Sequence, residues 1–196
     1  MRVVALSQRL TAFLIAGAAI GLLGVVLFGV VHALIIVPIW TRLSGGIPFA
    51  VVGGIAMGWA LYELQATSRL GEGASSGLVF GFFVWLALLP MTAFTVLVRA
   101  AGLHSTEGYW EITVELLLAS GTGAILGRLF SRQWRPAIAM GIASLAVALA
   151  QAGPIPVMNS SRAAWLFASL GLVYLTCGLA LGFLAPVIFR QFRGPV

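Results

Sequence analysis

"LTAFLIAGAAIGLLGVVLFGVVHALIIVPIW", residues 10–40, contains no Asp, Glu, Lys or Arg. A helix rises 1.5 Å per residue, so about 20 apolar residues cross the hydrocarbon core of a bilayer. A secretory signal carries an apolar core of only about 7–15 residues, followed by a small-residue cleavage site. This run is about twice too long for that. Preceded by Arg2 and Arg9, it reads as a first membrane span that stays attached.

The rest of the chain repeats the pattern. Of its 196 residues, 61% are hydrophobic and 8% charged, and the mean hydropathy is +1.08. A soluble domain needs about a quarter of its residues charged to keep its surface wet. The expected fold is therefore an all-α, polytopic integral membrane protein whose solvent is the lipid bilayer. Six apolar segments form one transmembrane domain over residues 1–196, with spans at about 11–37, 48–66, 77–99, 108–130, 136–152 and 164–189. The breaks between them are polar or turn-forming: "TRLSGGIP", "QATSRLGEGASSG", "SRQWRP" and "GPIPVMNSSR". Pro48 and Pro136 are placed to open the second and fifth helices, where a missing N–H costs nothing.

Charge supplies the orientation. All 11 basic residues are Arg and the formal net charge is +6. A nucleic-acid binder would gather such charge into a stripe or patch; here the arginines stand singly at segment ends, so no nucleic-acid partner is expected. With the N-terminus inside, Arg2, Arg9, Arg69, Arg128, Arg132, Arg135, Arg190 and Arg193 fall on the inner side, and Arg42, Arg99 and Arg162 on the outer side. Eight against three is the bias of cytoplasmic loops. Both termini are expected in the cytoplasm and the setting is expected to be a bacterial cytoplasmic (inner) membrane. Trp40, Trp110, Trp134 and Trp165 fall at span ends, as interfacial aromatics do.

Small residues at four-residue spacing mark the packing faces. Gly17/Gly21, Gly54/Gly58, Gly77/Gly81, Gly123/Gly127 and Gly178/Gly182 let helix backbones approach closely where lipid provides no hydrophobic drive between helices. The same faces suit membrane protein partners or a second copy of the chain.

Five acidic residues remain to be explained, and three of them, Glu107, Glu111 and Glu115, lie at four-residue spacing in "STEGYWEITVELLLASGT". Four residues advance a helix by about 6 Å and turn it about 40° past one revolution. The three carboxylates thus form a slowly twisting stripe that Thr122 continues. Glu107 and Glu111, near the helix start, complement the dipole or meet water. Glu115 lies deeper, where a carboxylate is costly unless it faces protein or water. His32 follows Gly21 by eleven residues, about three turns, which puts both on one face of the first helix. With His104 in the loop before the fourth span, the outer half gathers two histidines and three glutamates.

Imidazole with carboxylate suits a proton relay or a divalent metal. The candidate substrate-binding or relay residues are accordingly Glu111, Glu115, His32 and Thr122, with His104 and Glu107 at the entry. His32 and Glu115 are the candidate metal ligands; their spacing matches no known metal signature, and no cofactor is expected. Pro90, in "WLALLPMTAF", cannot donate to the carbonyl of Leu86 and is the candidate hinge. "LLASGTGAILG" resembles the serine segment of rhomboid intramembrane proteases, which pair that serine with a histidine on a later helix. No histidine follows Ser120, so nothing would activate it. Cys177 is the single cysteine, so no disulfide can form within the chain. No enzyme motif emerges. The expected function is a small transporter, or transporter subunit, for a cation or small solute. The rival is a non-catalytic structural or assembly subunit of a larger membrane complex.

Overall fold

The computed structural model describes the backbone of residues 2–35, 40–68, 70–103, 109–151 and 160–192; within these, the side chains of 2–6, 31–35, 40–46, 49, 99, 109, 151 and 160–167 lie outside the described set. Its regular structure is entirely helical: α1 Arg2–Ile35, α2 Trp40–Thr67, α3 Ala74–Ala100, α4 Tyr109–Ser131, α5 Trp134–Gln151 and α6 Ser160–Phe192. Among the described residues, four helices are long and apolar enough to cross a membrane, through Ser7–Val30, Ala74–Val98, Trp110–Ser131 and Ala168–Phe192; Trp134–Ala150 is a shorter apolar helix.

Pro48 does not open α2, contrary to the reading from sequence: the helix starts at Trp40 and Pro48 lies inside it. Inside a helix proline removes one bond from the ladder, and α2 nevertheless continues through the polar residues that precede it. Pro90 is likewise internal to α3. Where helices do end, the chain supplies local partners. Beyond α3, Gly102 takes φ +68°, and Leu103 N–H reaches the carbonyl of Val98 at 3.0 Å, a C-terminal cap that favours glycine.

The helices close into a ring in the order α1, α2, α5, α4, α3, α6 and back to α1. Two kinds of seam alternate around it. At α1·α2, α3·α6 and α4·α5, backbone lies on backbone. A Cβ built on Gly54 would meet the Cα of Gly21 at 2.7 Å, one on Gly77 the Cα of Gly182 at 2.8 Å, and one on Gly127 the Cα of Ala137 at 2.9 Å. Each of the five glycine pairs serves one of these three crossings. The other seams are wider. At α2·α5 a Cβ on Gly53 would make an ordinary 3.6 Å contact with the carbonyl of Ala146, and at α1·α6 one on Gly24 would lie 3.6 Å from Cys177 Sγ. Three glycine-locked pairs are thus joined by side-chain seams.

Phe13, Ile20, Leu61, Leu64, Phe80, Val84, Met140 and Leu181 are fully buried and fill the middle, where α3 touches α5 and α2 touches α4. Outside, large apolar side chains face away from the protein: Leu129 is 71% exposed, Leu117 67% and Leu172 67%. Bulky apolar groups outside and Gly or Ala at the contacts is the distribution that lipid favours. Each locked pair is antiparallel, Gly17 against Gly58 and Gly81 against Tyr174. The ring contacts Phe83–Phe130 and Phe94–Trp110 set α3 antiparallel to α4 as well. This alternation gathers Arg9, Arg128, Arg132, Arg135 and Arg190 at one end of the bundle.

Candidate functional site

At the opposite end, the α3·α4 seam holds the carboxylates. Glu111 lies in the first turn of α4 and is buried, 7% exposed. Its charge there complements the helix dipole. Glu115 sits one turn deeper, about 8 Å inside the apolar stretch that begins at Trp110. Glu115 is half-buried, and the Thr95 hydroxyl of α3 donates to its Oε1 at 2.5 Å. Thr95 is itself buried, with its Oγ1 also 3.0 Å from the carbonyl of Met91.

That double contact has a chemical consequence. A threonine hydroxyl carries one proton and two lone pairs. With Glu115 ionised, the proton serves the carboxylate. With Glu115 protonated, the acid can donate to Thr95 while Thr95 gives its own proton to Met91. The pair therefore accepts either protonation state without stranding a polar group. One turn earlier, Thr92 donates to the carbonyl of Leu88 at 3.0 Å. Phe94 and Trp110 meet edge to face at 6.1 Å above the carboxylates, while Phe83 and Phe130 close the other end of the seam at 4.4 Å.

Thr95 is the partner that the sequence reading missed. A threonine within an apolar helix usually satisfies itself on the preceding turn, so its presence in "PMTAFTVLV" does not announce a second contact. The histidine sought for this role lies elsewhere in the ring. His32 belongs to α1, with its side chain outside the described residues, and α1 and α4 share no packed face. His104 and Glu107 also lie outside the described residues. Thr122 is half-buried, two turns below Glu115. Among the described residues, no three His, Cys, Asp or Glu side chains gather to hold a metal ion.

A second polar network occupies the arginine-rich end. Arg9 of α1 forms an ion pair with Glu72 at 2.6 Å and donates to Gln65 of α2 at 3.4 Å. Gln65 donates to Ser76 Oγ at 2.8 Å, and Ser76 to the carbonyl of Gly73 at 2.8 Å. The chain of contacts fastens α1, α2 and the start of α3 where α2 and α3 barely touch. Glu63 accepts from Trp59 Nε1 one turn away at 3.3 Å. The readable signal was simple: Glu63 and Glu72, the two acids outside the stripe, share an end with Arg9. Comparison with known protein families, curated proteins and solved structures finds no match to this chain.

Proposed function

We propose that the protein crosses the membrane six times with both termini in the cytoplasm, and acts as a transporter, or transporter subunit, for a cation or small solute. The polar site is the outer half of the α3·α4 seam, with Glu111 and Glu115 as its acidic groups and Thr95 as the hydroxyl partner of Glu115. The arginine-rich end faces a bacterial cytoplasm by the charge rule. One observation carries the reading: an intramembrane carboxyl, paired at 2.5 Å with a hydroxyl that suits both of its protonation states, lies in a seam between two glycine-locked pairs. Intramembrane acids are functional candidates by default.

The test is uptake into proteoliposomes across a panel of monovalent and divalent cations and protons, with wild-type and Glu115→Gln protein. The reading expects a cation-dependent flux that Glu115→Gln abolishes while the protein still inserts and unfolds at its usual temperature. An unchanged flux in the variant, or none in the wild type, overturns it.

The rival reading, an assembly subunit, draws support from the same pair: Thr95 satisfies Glu115 within the chain, as polar glue would. It expects fixed membrane partners on purification, lost when the outer face of α4 around Leu117 is changed, and no flux.

A further inference from the structure

The α4–α5 turn concentrates positive charge, and among the described residues no carboxylate is paired with it. Arg128, in the last turn of α4, lays its guanidinium 4.7 Å over the ring of Trp134 and donates to the carbonyl of Arg132. Arg132 and Arg135 are exposed. The acids described at this end are engaged elsewhere, Glu72 by Arg9 and Glu63 by Trp59. The turn itself is well held: Ser131 donates to the carbonyl of Gly127 at 2.7 Å and accepts from Gln133 N–H at 3.3 Å.

Arg132 adopts φ +55°, the left-handed conformation that glycine takes without penalty at a helix C-terminus. An outlier of this kind argues for a use of its side chain. Trp134 is 70% exposed, and near the turn α4 exposes Leu129, at 71%, and α5 exposes Ile138, at 53%. Guanidinium groups at the same turn as an exposed indole and exposed apolar side chains match one molecule with an anionic head and hydrocarbon tails. A soluble phosphate would need only the first of these.

We infer that this turn binds the phosphodiester headgroup of an anionic lipid, with Arg132 and Arg135 on the phosphate oxygens and the acyl chains along Leu129 and Ile138. Guanidinium suits phosphate through paired N–H donors. The inference needs the bilayer but not the transport activity.

The experiment measures thermal unfolding and lipid retention by native mass spectrometry, in nanodiscs of phosphatidylcholine alone or with phosphatidylglycerol. The variants are Arg132→Gly, Arg135→Gln and, as a control at the same end, Arg190→Gln. Wild type is expected to unfold at higher temperature with phosphatidylglycerol and to retain one such lipid. Arg132→Gly relieves the backbone, so in phosphatidylcholine it should match or exceed wild type. With phosphatidylglycerol it should lose most of the gain, with retention about fivefold weaker for each arginine removed. Arg190→Gln should leave gain and retention intact. An equal loss in Arg190→Gln would mean diffuse surface charge and overturn the site. So would an undiminished gain in both turn variants. The same gain from inorganic phosphate or glycerol phosphate in phosphatidylcholine discs would make it a soluble-anion site and overturn the lipid assignment.

Discussion

Thr95 of α3 and Glu115 of α4 meet across their seam at 2.5 Å, joining two helix pairs that are otherwise held to each other by bulky side chains. Glu115→Gln keeps a hydrogen-bonding group of the same size, so unfolding should shift by less than about 1 kcal/mol. Thr95→Val keeps the shape but removes the hydroxyl. Losing a partner from a part-buried carboxyl costs about 1–3 kcal/mol, and that variant should be the less stable of the two in detergent melts. If Thr95→Val is as stable as the wild type, this contact contributes nothing to the fold.

The glycine crossings make a sharper contrast. At Gly54, the Cβ of alanine would fall 2.7 Å from the Cα of Gly21, whereas at Gly121 it would meet nothing within 4 Å. Gly54→Ala must push α1 from α2 and should destabilise by about 1–3 kcal/mol. Gly121→Ala, in an open stretch of helix, should stabilise by about 0.5–1 kcal/mol. Equilibrium unfolding of the two variants checks both signs.

Ser144 is completely buried and its Oγ has no hydrogen-bond partner among the described residues. Removing an unsatisfied buried hydroxyl removes its desolvation penalty. Ser144→Ala should therefore raise stability by about 1 kcal/mol, and a loss in unfolding experiments would show that the hydroxyl has a partner in the membrane.

The Arg9–Glu72 ion pair is short, but its side chains are 30% and 67% exposed. Exposed pairs contribute about 0–1 kcal/mol, and salt screens them. A double-mutant cycle with Arg9→Gln and Glu72→Gln should give a coupling below about 1 kcal/mol that shrinks further at high ionic strength. A larger, salt-insensitive coupling would mean that the pair is desolvated in the bilayer interface.

Much of the fold is written in the apolar runs, because a chain with so few charges has few ways to remain in water. The glycine pairs also announce their purpose: each of the five lies in a backbone crossing. They do not announce their partners. The same four-residue spacing occurs in five helices, so nothing local tells Gly77 and Gly81 to seek Gly178 and Gly182 at the far end of the chain. The site was half legible for this reason. Glu115 stands out as an acid inside an apolar segment, but its neighbour depends on ring order. The face of His32 inferred from Gly21 could not reveal that α1 packs on α2 and α6. Pro48 misled because proline at a polar break reads as a helix start, whereas α2 runs through that break and keeps the proline inside it.

The position of Cys177 offers a handle on motion. It is the chain's single sulfhydryl, buried opposite Gly24 where the first and last helices meet through side chains. Alkylation by a membrane-permeant maleimide can proceed only while those helices separate, so its rate times their opening with no engineered label. A reaction accelerated by a cation that binds Glu115 would link occupancy of that carboxylate to breathing at a seam separated from it by the α3·α6 crossing.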